Sequence, residues 1–384
     1  MKKVIFDTAI TGHHSEYIGH LLDYLYKHDD IKTKYYFVVH PSFATTFPSI
    51  YEKVPKIKNV EWCPIRNDEL QRIQRKNGVI SSLMAMKIMD RYAKKISADH
   101  VIALDFHPLK YGSTFYTPPY TMSSILFLLF HRLDKNQKLE YYKRYFLTKW
   151  STSNKQLRKV FILNDLDAVA FMNEKFKTNC FDMLPDPIPD LKPLENFDVF
   201  NHYKIQKDRK IFLHIGALGE RKGTREVIEA ATHLDATTQQ KTAILIAGKA
   251  SKPSDAILYS ELIEEVRNKT KVHIIWDNQF VPNQMMKSLF NQCDTVLLPY
   301  KNAEFSSGIL GHAAAAHKKV IATNAGLIKE LVTTYKLGVL LDDPTAAQLA
   351  KKITEMMKSD FEISGHRFVD EHDPTVFAKM LLHS

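Results

Sequence analysis

The chain has 384 residues, 45% hydrophobic and 25% charged, a balance that excludes disordered and fibrous classes and a length that implies two domains. The formal net charge of +10 suits nucleotide phosphates, anionic lipid or nucleic acid, or equally a basic solvated surface, though no nucleic-acid recognition motif is present. Cys63, Cys180 and Cys293 lie far apart, outside any CxxC or Cys/His cluster, which argues against a disulfide frame or structural zinc and fits a reducing compartment.

Only a few apolar residues precede Asp7, too few for a secretory signal, so residues 2–7 read as a first strand of a cytoplasmic protein. Short apolar or β-branched runs follow at 35–39, 101–105, 124–131 and 159–163, separated by helical stretches that include 16–27, 80–95 and 166–177. Such alternation implies a parallel sheet covered by helices on both faces. The most apolar run, 124–130, is far shorter than the roughly 20 residues of a membrane span and reads as a buried parallel strand. His131 should then stand at the carboxyl edge of the sheet, as should His107 after the strand ending at Asp105. Each of these histidines is either a site residue or a structural one.

Residues 135–159 interleave Lys135, Lys138, Lys143, Arg144, Lys149, Lys155, Arg158 and Lys159 with Tyr141, Tyr142, Tyr145, Phe146 and Trp150. Two readings stay open, a helix on an anionic membrane surface and a solvated helix with a buried aromatic face. Asp165-Leu166-Asp167 matches a metal-holding D-x-D triplet, but it opens a helix, where an aspartate caps the free N–H groups.

Pro185, Pro187 and Pro189 interrupt the rhythm, and polar sequence follows to residue 210, which marks a linker. Strand runs then resume at 211–215, 242–247, 272–275, 295–298, 320–322 and 339–341. Helical stretches at 224–233, 255–268, 282–292, 310–317, 328–335 and 345–358 fall between or after them. The expected fold class is α/β, with two doubly wound Rossmann-like domains facing a central cleft, where open α/β sheets bind ligands.

The segment 212–223 reads strand, glycine loop, cationic pair, helix start. Gly216 allows close approach of a ligand, the helix start offers free N–H groups, and Arg221 and Lys222 suit a diphosphate. The segment 298–316 ends a strand at Pro299, passes a polar loop holding Glu304, and enters an alanine-rich helix through Ser306, Ser307 and Gly308, whose hydroxyls and amides suit phosphate oxygens. Glu304 suits sugar hydroxyls, or is a solvated loop acid.

Taken with Gly248 after the next strand, Phe280-Val281-Pro282, Leu297-Leu298-Pro299 and the run 320–332, these landmarks resemble the second domain of the GT-B glycosyltransferases, in particular the large retaining group called family 4. The resemblance implies a metal-independent glycosyltransferase that moves a sugar from a nucleotide-sugar to a glycan or lipid-linked acceptor in cell-surface polysaccharide synthesis, with retention and no cofactor. It implies an acceptor-binding domain over 1–190, a linker over 191–209, a donor-binding domain over 210–365, and a terminal helix within 366–384 returning to the first domain. Arg221, Lys222, Glu304 and His131 become the catalytic candidates. Donor binding falls to Gly12, His13, Gly216, Gly248, Val281, Ser306, Ser307, Gly308 and His312, and acceptor binding to His14 and His107. The family carries two glutamates seven residues apart with the second on the ribose; here Glu304 matches the first and His312 replaces the second, a ring that can still hydrogen-bond. An epimerase of the same architecture and a degenerate nucleotide-sugar-binding protein stay open as alternatives.

Overall fold

The computed structural model describes residues 1–28, 32–75, 78–127, 129–133, 137–302, 306–358, 363 and 365–384. The chain forms two compact units, Met1–Pro187 with Asp373–Ser384, and Ile188–His372.

The first unit is built on the strands β1 (Lys2–Phe6), β2 (Lys34–Val38), β3 (Val60–Trp62), β4 (His100–Ala103), β5 (Thr121–Ile125), β6 (Leu157–Leu163) and β7 (Phe181–Leu184). They pair in parallel in the order β3-β2-β1-β4-β5-β6-β7, so the winding reverses between β1 and β4, where Val4 faces Val101. Successive side chains of a strand point to opposite faces. Val4 and Phe6 therefore enter the core shared with Met86 and Met89 of the helix Gly78–Ile96, while Ile5 joins Leu21, Leu22, Phe377 and Leu381 on the other face. The final helix, Pro374–Leu382, belongs to this second face. Asp373 caps it, the Phe377 ring lies 4.7 Å from Tyr17, and buried Lys3 donates from Nζ to the Leu382 carbonyl. Burial of Phe377, Leu381 and Leu382 stabilises this docking by about 2 kcal/mol each.

The run 124–131 is not one strand. β5 begins earlier, at Thr121, and ends at Ile125. The Leu126 N–H still bonds the Phe161 carbonyl, and the chain then leaves the sheet. The apolar character of the run has another cause: Phe130 is fully buried, ringed by Tyr141, Tyr145, Phe171 and Phe176 at 5.3–5.9 Å. β3 and β7 are additional short edge strands.

The second unit carries β8 (Lys210–Ile215), β9 (Thr242–Ala247), β10 (His273–Asp277), β11 (Thr295–Leu298), β12 (Lys319–Thr323) and β13 (Gly338–Leu341). Their order is β10-β9-β8-β11-β12-β13, all parallel, with the reversal between β8 and β11. Ile211, Leu213 and Ile215 face one core and Phe212 the other. The segment 191–209 is part of this unit rather than a free linker. Val199 and Ile205 are buried in its core, Asp198 caps the helix Val199–His202, and the Leu194 N–H bonds Ser288. The stretch 366–384 is likewise divided: His366–Glu371 packs Phe368 into the second unit, and only the helix Pro374–Leu382 lies in the first. Among the described residues no helix is long and apolar enough to cross a membrane.

Candidate functional site

In the second unit, two glycine loops meet at the carboxyl ends of β8 and β9. Gly216 has φ +119° and Gly248 φ +139°, backbone that favours glycine. A Cβ on Gly248 would lie 1.9 Å from the Gly216 carbonyl oxygen, and one on Gly216 would lie 2.3 Å from the Lys222 Nζ. The loops thus touch backbone to backbone. Gly248 is held further by its N–H on the Asp277 carbonyl and by the Trp276 indole N–H on its own carbonyl.

Lys222 is buried, and its Nζ donates to the Ile215 carbonyl at 3.2 Å. Its ammonium lies 5.4 Å from the Tyr300 ring centre, and the guanidinium of exposed Arg221 lies 5.9 Å from the same ring. Two cations thus converge on one aromatic side chain. The Lys301 N–H bonds the Arg221 carbonyl, which ties the loop after β8 to the loop after β11. Beneath them His214 is fully enclosed, and burial pushes its pKa down to about 4, so the ring is neutral. Its Nδ1 donates to the Leu297 carbonyl, Nε2 accepts from the Thr224 hydroxyl, and that hydroxyl oxygen accepts from the Gly219 N–H. This chain fixes the turn that carries Arg221 and Lys222.

Beyond β11, Tyr300 is buried and its hydroxyl lies 3.5 Å from Ser307 Oγ. Ser307 is the N-cap of the helix Gly308–Ala315 and makes no side-chain cap bond. The half-buried Ser306, Ser307 and Gly308 therefore stand at a positive helix end near Tyr300. Glu304 lies outside the described residues. His312, further along the helix, packs on Phe290 with ring centres 5.6 Å apart, and half-buried Val281 packs against the same core.

In the first unit, the loop after β1 begins with buried Asp7, which accepts from the Ala9 N–H and from His14 Nδ1 at 2.9 Å. Gly12 sits in an exposed turn, and exposed His13 faces Glu16, whose hydrogen bond raises its pKa. Burial pulls His14 down, but the bond to Asp7 and the charges of Asp7 and Asp105 outweigh it and leave the imidazole above its ordinary value. Asp105 is pushed up to about 6 by burial, against the stabilising bond from the His107 N–H. A cavity of about 20 Å³, room for one water, lies among Phe6, Asp7, Thr8, Ala9, Asp105 and Pro108. This cluster stands at the β1/β4 reversal, where open α/β sheets take ligands. An imidazole oriented by a buried carboxylate is suited to binding and polarising a hydroxyl.

His107 keeps much of its surface in solvent, but partial desolvation of the ring and then the charge of Lys110, whose Nζ is 3.2 Å from Nδ1, lower its pKa to about 4. His131 does not stand at a strand end. It lies past β5 and stacks on Phe171 at 5.3 Å. The residue after β5 that packs on the His14 ring is Phe127, 6.2 Å away. Asp165 is an N-cap: it accepts from the Ala168 N–H and takes a two-pronged ion pair from Arg132 at 2.6 and 2.7 Å. Asp7, Asp105 and Tyr300 join the sequence-derived candidates. A polar residue directly after an apolar strand run was the available sign for the first two, while Tyr300 was hidden by its apolar neighbours.

Residues 196–371 match the family described as glycosyl transferases group 1. No curated protein matches the chain. Solved structures that resemble it include WaaG, a glycosyltransferase involved in lipopolysaccharide biosynthesis, with 14% identity, TM-score 0.60, and coverage of 100% of this chain and 94% of that one. A glycosyltransferase from Rickettsia africae is 15% identical, TM-score 0.67, covering 100% and 96%. Anabaena HepE in complex with UDP-glucose is 14% identical, TM-score 0.66, covering 99% and 98%. The matched domain holds the Gly216–Lys222 loop and the helix Gly308–Ala315; it matches the glycosyl transferases group 1, and the chain has the two-domain GT-B fold of the solved glycosyltransferases it resembles.

Proposed function

We propose that the chain transfers a sugar from a nucleotide-sugar donor to a glycan or lipid-linked acceptor in cell-surface polysaccharide synthesis, with retention and without a metal or other cofactor. The observation that carries this reading is the convergence of Arg221 and Lys222 on Tyr300, beside two glycine loops in backbone contact. Small, glycine-lined backbone next to fixed cations is what a diphosphate requires. The HepE complex with UDP-glucose supports a nucleotide-sugar donor, and the lipopolysaccharide role of WaaG supports a cell-surface product.

In this mechanism negative charge grows on the departing diphosphate as the anomeric carbon becomes oxocarbenium-like. Arg221, Lys222 and the amides at Ser306–Gly308 stabilise that charge, which makes a metal unnecessary for the leaving group. Gly216, Gly248, Val281 and His312 shape the donor site, with Gly12 and His13 as further donor contacts. Glu304 holds sugar hydroxyls. His14, oriented by Asp7, contacts the acceptor together with His107, whereas the catalytic role expected of His131 loses its basis, since that rested on a strand end the structure does not place there. The test is a thermal-shift screen with nucleotide-sugars followed by kinetics of Arg221→Ala on the stabilising donor. A fall in kcat/KM of about 10²-fold or more is expected. Near-normal turnover by this variant overturns the assignment.

A further inference from the structure

The helix Lys138–Thr152 wears its aromatics on the outside. Leu139 is 88% exposed, Tyr142 56%, Phe146 42% and Trp150 51%. Their spacing of three or four residues makes one stripe along the helix. The Tyr142, Phe146 and Trp150 rings follow each other at 6.5 and 5.8 Å. Exposed Lys138, Lys143 and Lys149 accompany them. The one acid of the helix, Glu140, is bonded to Arg144 and Lys143. The buried side is the other one, with Leu147, Thr148 and Ser151 inward and Tyr141 and Tyr145 against Phe130.

Two neighbouring helices continue the pattern. Lys110–Phe115 is joined to this helix through Ser113 and Ser151 hydroxyls, and it ends in Phe115, 71% exposed. Gly78–Ile96 is joined to Lys110–Phe115 by Ser82, which accepts from the Tyr111 and Gly112 N–H groups, and it exposes Val79, Ile80 and Leu83. Half of the large exposed apolar side chains among the described residues lie on these three helices.

We propose that this aromatic, lysine-bordered face of the first unit docks on an anionic phospholipid bilayer. Tyr142, Phe146 and Trp150 would enter the boundary between headgroups and acyl chains, and the lysines would meet lipid phosphates. A second copy of the chain fits poorly, because a two-fold contact through this stripe sets its lysines against the same lysines. The inference goes beyond the transfer reading and needs no donor chemistry. It supplies a way to hold the enzyme at a lipid-linked acceptor.

The full chain is spun with vesicles of phosphatidylcholine alone and of phosphatidylcholine with phosphatidylglycerol. Pelleting is expected only with the anionic vesicles and should fall with added salt. Lys138→Gln with Lys149→Gln should weaken partition by about 25-fold, at roughly fivefold per lysine, and Phe146→Ser with Trp150→Ser should release the protein. All four side chains are exposed, so melting temperature and hydrolysis of a nucleotide-sugar should stay unchanged. Absence of pelleting, equal pelleting of the variants, or a variant that instead turns a dimer into a monomer overturns the proposal. Loss of donor turnover with vesicle binding intact would count against the transferase reading alone.

Discussion

Asp105 offers a quantitative test of the first-unit cluster. Burial raises its pKa from an ordinary 3.8 to about 6. An acid with a raised folded pKa prefers its neutral form in the native state, so its contribution is fully present below pH 4 and is lost as pH rises through about 6. The shift of roughly two units corresponds to about 3 kcal/mol at 1.36 kcal/mol per unit. Asp105→Asn keeps the acceptor for the His107 N–H and cannot ionise. The variant should therefore match wild type near pH 4 and exceed it by about 3 kcal/mol above pH 7. Removing the Asp105 charge should also lower the pKa of His14, since that charge helps to raise it. Urea unfolding of both proteins across pH 4–8 reads the stability gap, and histidine NMR titration reads His14. A gap independent of pH, or an unmoved His14, would refute the account.

Arg132→Ala strips the charge partner from buried Asp165, and urea unfolding should show a loss of about 3 kcal/mol or more, largely restored by adding Asp165→Asn. Gly248→Ala places a Cβ against the Gly216 carbonyl at positive φ, so it should cost at least about 1–3 kcal/mol and weaken nucleotide binding measured by calorimetry. The Cys293 thiol is pushed up to about 12 by burial, so a thiol reagent at pH 8 should label half-buried Cys63 first and reach Cys293 only on unfolding, as peptide mapping will show.

The alternation of short apolar runs with helical stretches was enough to place two parallel α/β sheets, because strands buried on both faces cannot hide their apolar content. The loops at Gly216–Lys222 and Ser306–Gly308 were legible for a similar reason: close backbone approach demands glycine, and a helix start after a strand has a recognisable spelling. Run 124–131 was misread because apolarity records burial, and Phe130 is buried by aromatic side chains from helices rather than by sheet neighbours. Segment 191–209 looked like a linker because it follows the prolines at 185, 187 and 189 and is rich in polar residues, which masked Val199 and Ile205, buried in the core with Phe197, Phe200 and Tyr203 against it. Only the folded chain could bring Asp7, His14 and Asp105 together at a strand reversal, or set Tyr300 within reach of Arg221 and Lys222. Local sequence thus determined which segments are strands, turns and helix starts, through periodicity and backbone permissiveness. The tertiary structure decided which of the resulting ends meet, because pairing order and side-chain contact between distant segments leave no periodic trace in the chain.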